Sequence, residues 1–101
     1  MDIQNKQFID KFQLNNLLIT KTSKWLISLR PEQPTIGSMV LTLNRNCGKM
    51  SELLPEETKD LSLAFKKIES LLDSAFRPDK INYLALMMVD NQVHFHVVMA
   101  P

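Results

Sequence analysis

Two histidines, His94 and His96, stand in the segment Gln92-Val93-His94-Phe95-His96, and the 101-residue chain has no others. In an extended strand alternate side chains share a face. Gln92, His94 and His96 would therefore form one row, and Val93, Phe95 and Val97 the other. The apolar row has a packing task; the row of amide and two imidazoles could do chemistry. A neutral imidazole that holds its proton against a fixed acceptor presents a lone pair on its second nitrogen and can attack an electrophile. The same two rings could give zinc two ligands, but a zinc site needs a third or fourth. Cys47 is the only thiol, so carboxylates would have to complete that shell. A wet strand face without chemistry has the same pattern, and the spacing alone does not choose between these readings.

Such a row needs a rigid sheet. Upstream, Ile3, Phe8, Ile9, Phe12 and Leu14 recur at mixed intervals that suit a short amphipathic helix within residues 2–18. Residues 17–21 and 24–29 are short aliphatic stretches separated by Thr22-Ser23, which predicts a hairpin. Pro31, Pro34 and Gly37 then take the chain out of the sheet, because proline cannot donate to a ladder. A third strand follows over residues 38–43, and Asn44 to Lys49 is a turn-forming cluster. Pro55 with Glu56 and Glu57 behind it is a helix start, with acids facing the positive end of the helix dipole. Apolar residues from Leu61 to Phe76 repeat at three and four, which predicts a long amphipathic helix over residues 55–76. Arg77-Pro78-Asp79 stops it. Residues 81–89 and 93–99 read as two further strands, with Asp90 and Asn91 as turn formers between them. Antiparallel strands with short connections imply an α+β domain with its helices on one face of the sheet.

Composition narrows the partners. Twelve Lys and Arg against 11 Asp and Glu leave a net charge of +1, so the chain lacks the concentrated positive charge that long nucleic acids require. Any phosphate it binds should be small. The chain length suits one domain. A single cysteine excludes an internal disulfide framework, and the first residues lack the order of a secretory signal, so a reducing cytoplasm is expected. No apolar run approaches the roughly 20 residues of a membrane span.

Gln92-Val93-His94-Phe95-His96-Val97-Val98 resembles the signature of the histidine triad proteins, in which three histidines alternate with hydrophobic residues. The likeness continues elsewhere. Pro34-Thr35-Ile36-Gly37-Ser38-Met39-Val40-Leu41 is similar to that family's Pro-x-x-Gly-His-x-Leu-Val lead-in to its central strand. Leu53-Leu54-Pro55-Glu56-Glu57 resembles its Leu-Thr-Pro-Glu-Glu helix start, and Lys80-Ile81-Asn82-Tyr83 resembles the strand before the triad. The resemblance runs in order from about Leu17 to Val98.

The resemblance implies a single α+β domain, an antiparallel five-stranded sheet with one long and one short helix. It implies a nucleotide-binding hydrolase or transferase in which His94 attacks the α-phosphorus of a dinucleoside polyphosphate, a nucleoside phosphoramidate or a related compound. A nucleotidyl-histidine would form. His96 would bond the phosphoryl oxygens. Gln92 stands at the first triad position and Asn46 at the place of an upstream histidine; as amides they can donate to a phosphate but cannot shuttle a proton. Arg30 falls where the family carries an acid for ribose hydroxyls, and could clamp a phosphate instead or be a solvated turn residue. Met87, Met88, Val89 and Asp90 replace the small polar residues that precede the triad. A divalent cation could accompany a polyphosphate substrate, with no metal site in the chain itself. The resemblance also implies a homodimer formed through the long helix and the neighbouring sheet edge. Met39, Met50, Met87, Met88 and Met99 could serve that contact or fill the core. A nucleotide-binding or dimer-forming module that has lost proton transfer is the alternative.

Overall fold

The computed structural model describes residues 1–100. Its centre is one antiparallel sheet of β1 (Leu18–Lys21), β2 (Trp25–Leu29), β3 (Met39–Leu43), β4 (Lys80–Leu84) and β5 (His94–Ala100), in the order β1-β2-β3-β5-β4. The expected α+β class with a five-stranded antiparallel sheet is what forms. Every residue of β3 is buried, so both faces of the sheet are covered at its centre. This corrects the expectation that the helices share one face.

The long helix α3 (Pro55–Phe76) covers one face. Its Ala64, Ile68 and Leu72 pack with Trp25, Ile27, Met39, Leu41, Leu43, Val93 and Val97 in the larger core. Alternation along β2 and β3 sends the intervening Leu26 and Val40 the other way, where they join Ile3, Phe8, Phe12 and Leu14 in a second core. The start of α3 is fixed by Glu57. Its carboxylate accepts the Leu54 backbone N–H at 2.8 Å and two bonds from the Arg45 guanidinium, at 2.8 and 2.9 Å. Trp25 Nε1 donates to the Glu57 carbonyl at 2.9 Å, and Asp60 accepts from Thr22 Oγ1 and the Lys24 N–H at 2.6 and 2.7 Å. Helix and hairpin are thereby joined by polar bonds as well as by the core.

Two predicted elements differ. The N-terminal helix is split into α1 (Lys6–Lys11) and α2 (Leu14–Leu17), with Gln13 between them in the left-handed region at φ 52 and ψ 45. Residues two apart on a continuous helix point about 200° apart. The break at Gln13 lets Phe12 and Leu14 both reach the core, where they are buried. The strand predicted over residues 81–89 ends at Leu84, opposite His96, and residues 85–93 form a loop. Met87 turns in against the larger core while Met88 and Val89 stand 85% and 84% exposed. Of the other methionines considered for a partner contact, Met39 is in the core, and Met50 and Met99 pack against it.

Candidate functional site

His94 begins β5 opposite Thr42, on the face away from α3, and is fully buried. Its Nδ1 lies 2.6 Å from the Gln92 carbonyl oxygen. A carbonyl can only accept, so Nδ1 carries the proton and the lone pair falls on Nε2. That nitrogen has no hydrogen-bond partner. Burial holds the His94 ring below the usual histidine pKa, against the opposing pull of the Gln92 carbonyl, and so keeps it neutral at pH 7.

His96 sits one pleat further along, opposite Val40, with its ring centroid 4.9 Å from that of His94. It is half-buried. Burial, then the neighbouring His94 and Arg30, push its pKa down to about 4. His96 opens onto a cleft of about 550 Å³ whose walls include Lys11, Phe12, Arg30, Glu32 and Asp90. Arg30 follows directly after β2, and its Nε is buried in this region without a partner. Lys11 Nζ holds Asp90 at 2.8 Å across one wall. Among the described residues no group of three His, Cys, Asp or Glu side chains could hold a metal ion.

The sheet thus brings His94, His96 and Arg30 into one region, with His96 and Arg30 on the cleft and His94 beneath it. The two amides are placed differently. Gln92 is buried and gives both amide hydrogens to backbone carbonyls, those of Leu43 at 3.0 Å and Arg45 at 2.8 Å. Its side chain clasps the end of β3, and its own carbonyl receives the His94 proton. Asn46 lines a separate cavity with Asn5, Gly48 and Asn91, and its Oδ1 accepts the Gln4 N–H at 2.8 Å.

Sequence reasoning missed Lys11 and Phe12 and treated Asp90 only as a turn former. Lys11 and Asp90 are 79 positions apart, and no local pattern pairs them. The only signal was that Phe12 belongs to the apolar set of the first helix. Its ring centroid lies 5.8 Å from that of His94 and 5.8 Å from that of His96, and Phe8 lies 4.9 Å from His94.

No protein-family model matches the chain, and no curated protein sequence does. Solved structures do. The NitFhit protein of C. elegans superposes with a TM-score of 0.77 at 16% identity, over 85% of this chain and 22% of that one. A histidine triad protein from Sinorhizobium meliloti 1021 gives a TM-score of 0.70 at 22% identity, over 86% and 66%. A member of the same family from Bacillus subtilis gives 0.73 at 19% identity, over 82% and 62%. The fold is that of the histidine triad proteins. The chain matches less than two thirds of the length of each of these three structures. No helix among the described residues is long and apolar enough to cross a membrane.

Proposed function

We propose that the protein is a nucleotide-binding hydrolase or nucleotidyl transferase whose nucleophile is His94. It acts on the α-phosphate of a dinucleoside polyphosphate or a related nucleotidyl compound. The observation that carries this reading is the fixed tautomer of His94, with Nδ1–H on the Gln92 carbonyl and an unpartnered Nε2. A phosphorus–Nε2 bond forms as the bond to the leaving oxygen breaks, and the polyphosphate fragment departs as an anion. The positive charge of the imidazolium so formed is steadied by the Gln92 carbonyl through Nδ1–H. Water then attacks phosphorus, the phosphorus–nitrogen bond breaks, and the water's proton passes to solvent as the mononucleotide leaves.

His96 and Arg30 are the groups for the phosphoryl oxygens, since both face the cleft. A divalent cation on the substrate would assist departure of the polyphosphate. Gln92 serves best as a positioning residue, because its amide hydrogens are engaged elsewhere. Asn46 keeps a free amide group but faces another cavity, so its part in phosphate binding is the weakest of the set. A reducing cytoplasm suits a chain with one buried cysteine.

The second reading is a nucleotide-binding module without turnover, and the complete burial of His94 favours it. One experiment separates the two. Incubation with a dinucleoside polyphosphate, a rapid quench and peptide mass spectrometry should yield a nucleotidyl group on His94, lost in His94→Ala. Binding with neither adduct nor turnover would leave the module.

A further inference from the structure

We propose that α1 and Phe12 form a strap that closes over His94 and lifts to admit a substrate, with the Lys11–Asp90 pair as its latch and Gln13 as its hinge. The proposal rests on reading His94 as the nucleophile. It starts from a mismatch between chemistry and access: the lone pair of His94 Nε2 meets no donor, and the ring is wholly covered. What covers it includes Phe8 and Phe12, whose ring centroids lie 4.9 and 5.8 Å from that of His94. A buried imidazole lone pair without a partner costs free energy, and bonding to an electrophilic phosphorus that arrives there removes the cost.

The strap is held by Phe8 and Phe12, which are buried in the second core, and by a few polar ties. Lys11 Nζ meets Asp90 Oδ1 at 2.8 Å, and Asn5 Nδ2 donates to the Asn91 carbonyl at 3.2 Å, so both ties run to the loop between β4 and β5. The Lys11 side chain is half exposed. The first residues are held independently, the N–H groups of Asp2 and Ile3 on Asn44 Oδ1 and that of Gln4 on Asn46 Oδ1. They can stay in place while α1 moves. At the other end Gln13 holds φ 52, a conformation disfavoured for a residue with a Cβ, and lifting α1 frees it to relax. The 550 Å³ cleft already runs along Lys11 and Phe12, so an outward movement of α1 extends that cleft to His94.

Diethyl pyrocarbonate, which acylates accessible neutral imidazole nitrogen, tests the strap without requiring turnover. Labelling at pH 7 is resolved by fragmentation of the peptide that carries both histidines, with the cleft-facing His96 as internal reference. In the wild type His94 should label at least about tenfold more slowly than His96, since it reacts only through the open form. Asp90→Asn weakens the latch and should speed His94 labelling by up to about fivefold. Gln13→Gly favours the closed form and should slow it by about tenfold. Amide exchange over residues 6–12 should follow the same order, and both variants should melt as one transition. Equal labelling of His94 and His96 in the wild type, or rates unmoved by both substitutions, overturns the strap. Labelling that follows the latch while no nucleotidyl adduct forms in Asp90→Asn upholds the strap and overturns the nucleophile.

Discussion

The proposed attack on phosphorus requires one imidazole nitrogen to stay protonated and aimed; the Gln92 carbonyl accepts from His94 Nδ1, and the Gln92 side chain is held on the Leu43 and Arg45 carbonyls. Replacing Gln92 by Ala leaves two carbonyls unpaired. The expected loss is about 1 to 3 kcal/mol of stability, read from denaturant unfolding. What the site lacks is an evident acid for the leaving group: Gln92 and Asn46 are amides, and His96, with its pKa near 4, holds no spare proton at pH 7. General acid help is typically worth about 10²- to 10⁴-fold. An amine leaving group needs that proton and a polyphosphate does not. A dinucleoside polyphosphate should therefore be cleaved faster than a phosphoramidate of the same nucleoside, by about 100-fold or more in kcat/KM. The reverse order would refute the argument. The histidine row and its shared face were legible from period-two alternation. The engaged hydrogens of Gln92 were not, because their acceptors lie 49 and 47 residues away and only the folded sheet brings them near.

Helix α3 is the element the sequence specifies most fully, from Pro55 at its first turn to the stop after Phe76. Its start combines acids near the helix dipole with a return bond from Glu57 to the Leu54 N–H. Burial of Glu57 raises the stakes, since removing the carboxylate strands both that N–H and the Arg45 side chain. Glu57→Ala should cost about 2 to 3 kcal/mol, and Glu57→Gln, which keeps one acceptor oxygen, less, both measured by urea unfolding. The weaker elements were legible in kind but not in extent. Apolar spacing placed a helix near the N-terminus, yet it could not disclose that Gln13 turns left-handed so that Phe12 and Leu14 are buried together. Likewise the run from Leu84 to Val89 is as apolar as a strand, but its pairing with β5 ends at Leu84. Ladder length is set by the partner strand, which a local window does not contain.

At the scale of the whole molecule, β4 leaves one backbone edge unpaired, and Leu63, Leu71 and Phe76 of α3 remain exposed. An unpaired strand edge and exposed apolar side chains on α3 suit a second copy of the chain. We expect sedimentation at micromolar concentration to give twice the chain mass of 11.6 kDa, with Leu63→Asp shifting it toward monomer. Only monomer in the wild type would refute the dimer. Acid stability draws on both faces of the sheet, and its sign follows from which state binds more protons. His96, and His94 with it, is held neutral by burial and titrates below the usual 6.5, His96 at about 4. Between 6.5 and about 4 the unfolded chain therefore takes up protons that the folded chain refuses. Stability is complete above that window and falls as the pH drops through it. Glu57 titrates below its ordinary 4.5, chiefly because Arg45 bonds its carboxylate, so its contribution is present above 4.5 and is lost as the pH falls further. Two successive losses are expected, assigned by variant. In urea unfolding across this range, His96→Gln should flatten the decline above about pH 4 and Glu57→Gln the decline below 4.5. A midpoint that stays level from pH 7 to 4 in the wild type would mean that the histidine face is open to water, and the buried tautomer of His94 would lose its footing with it.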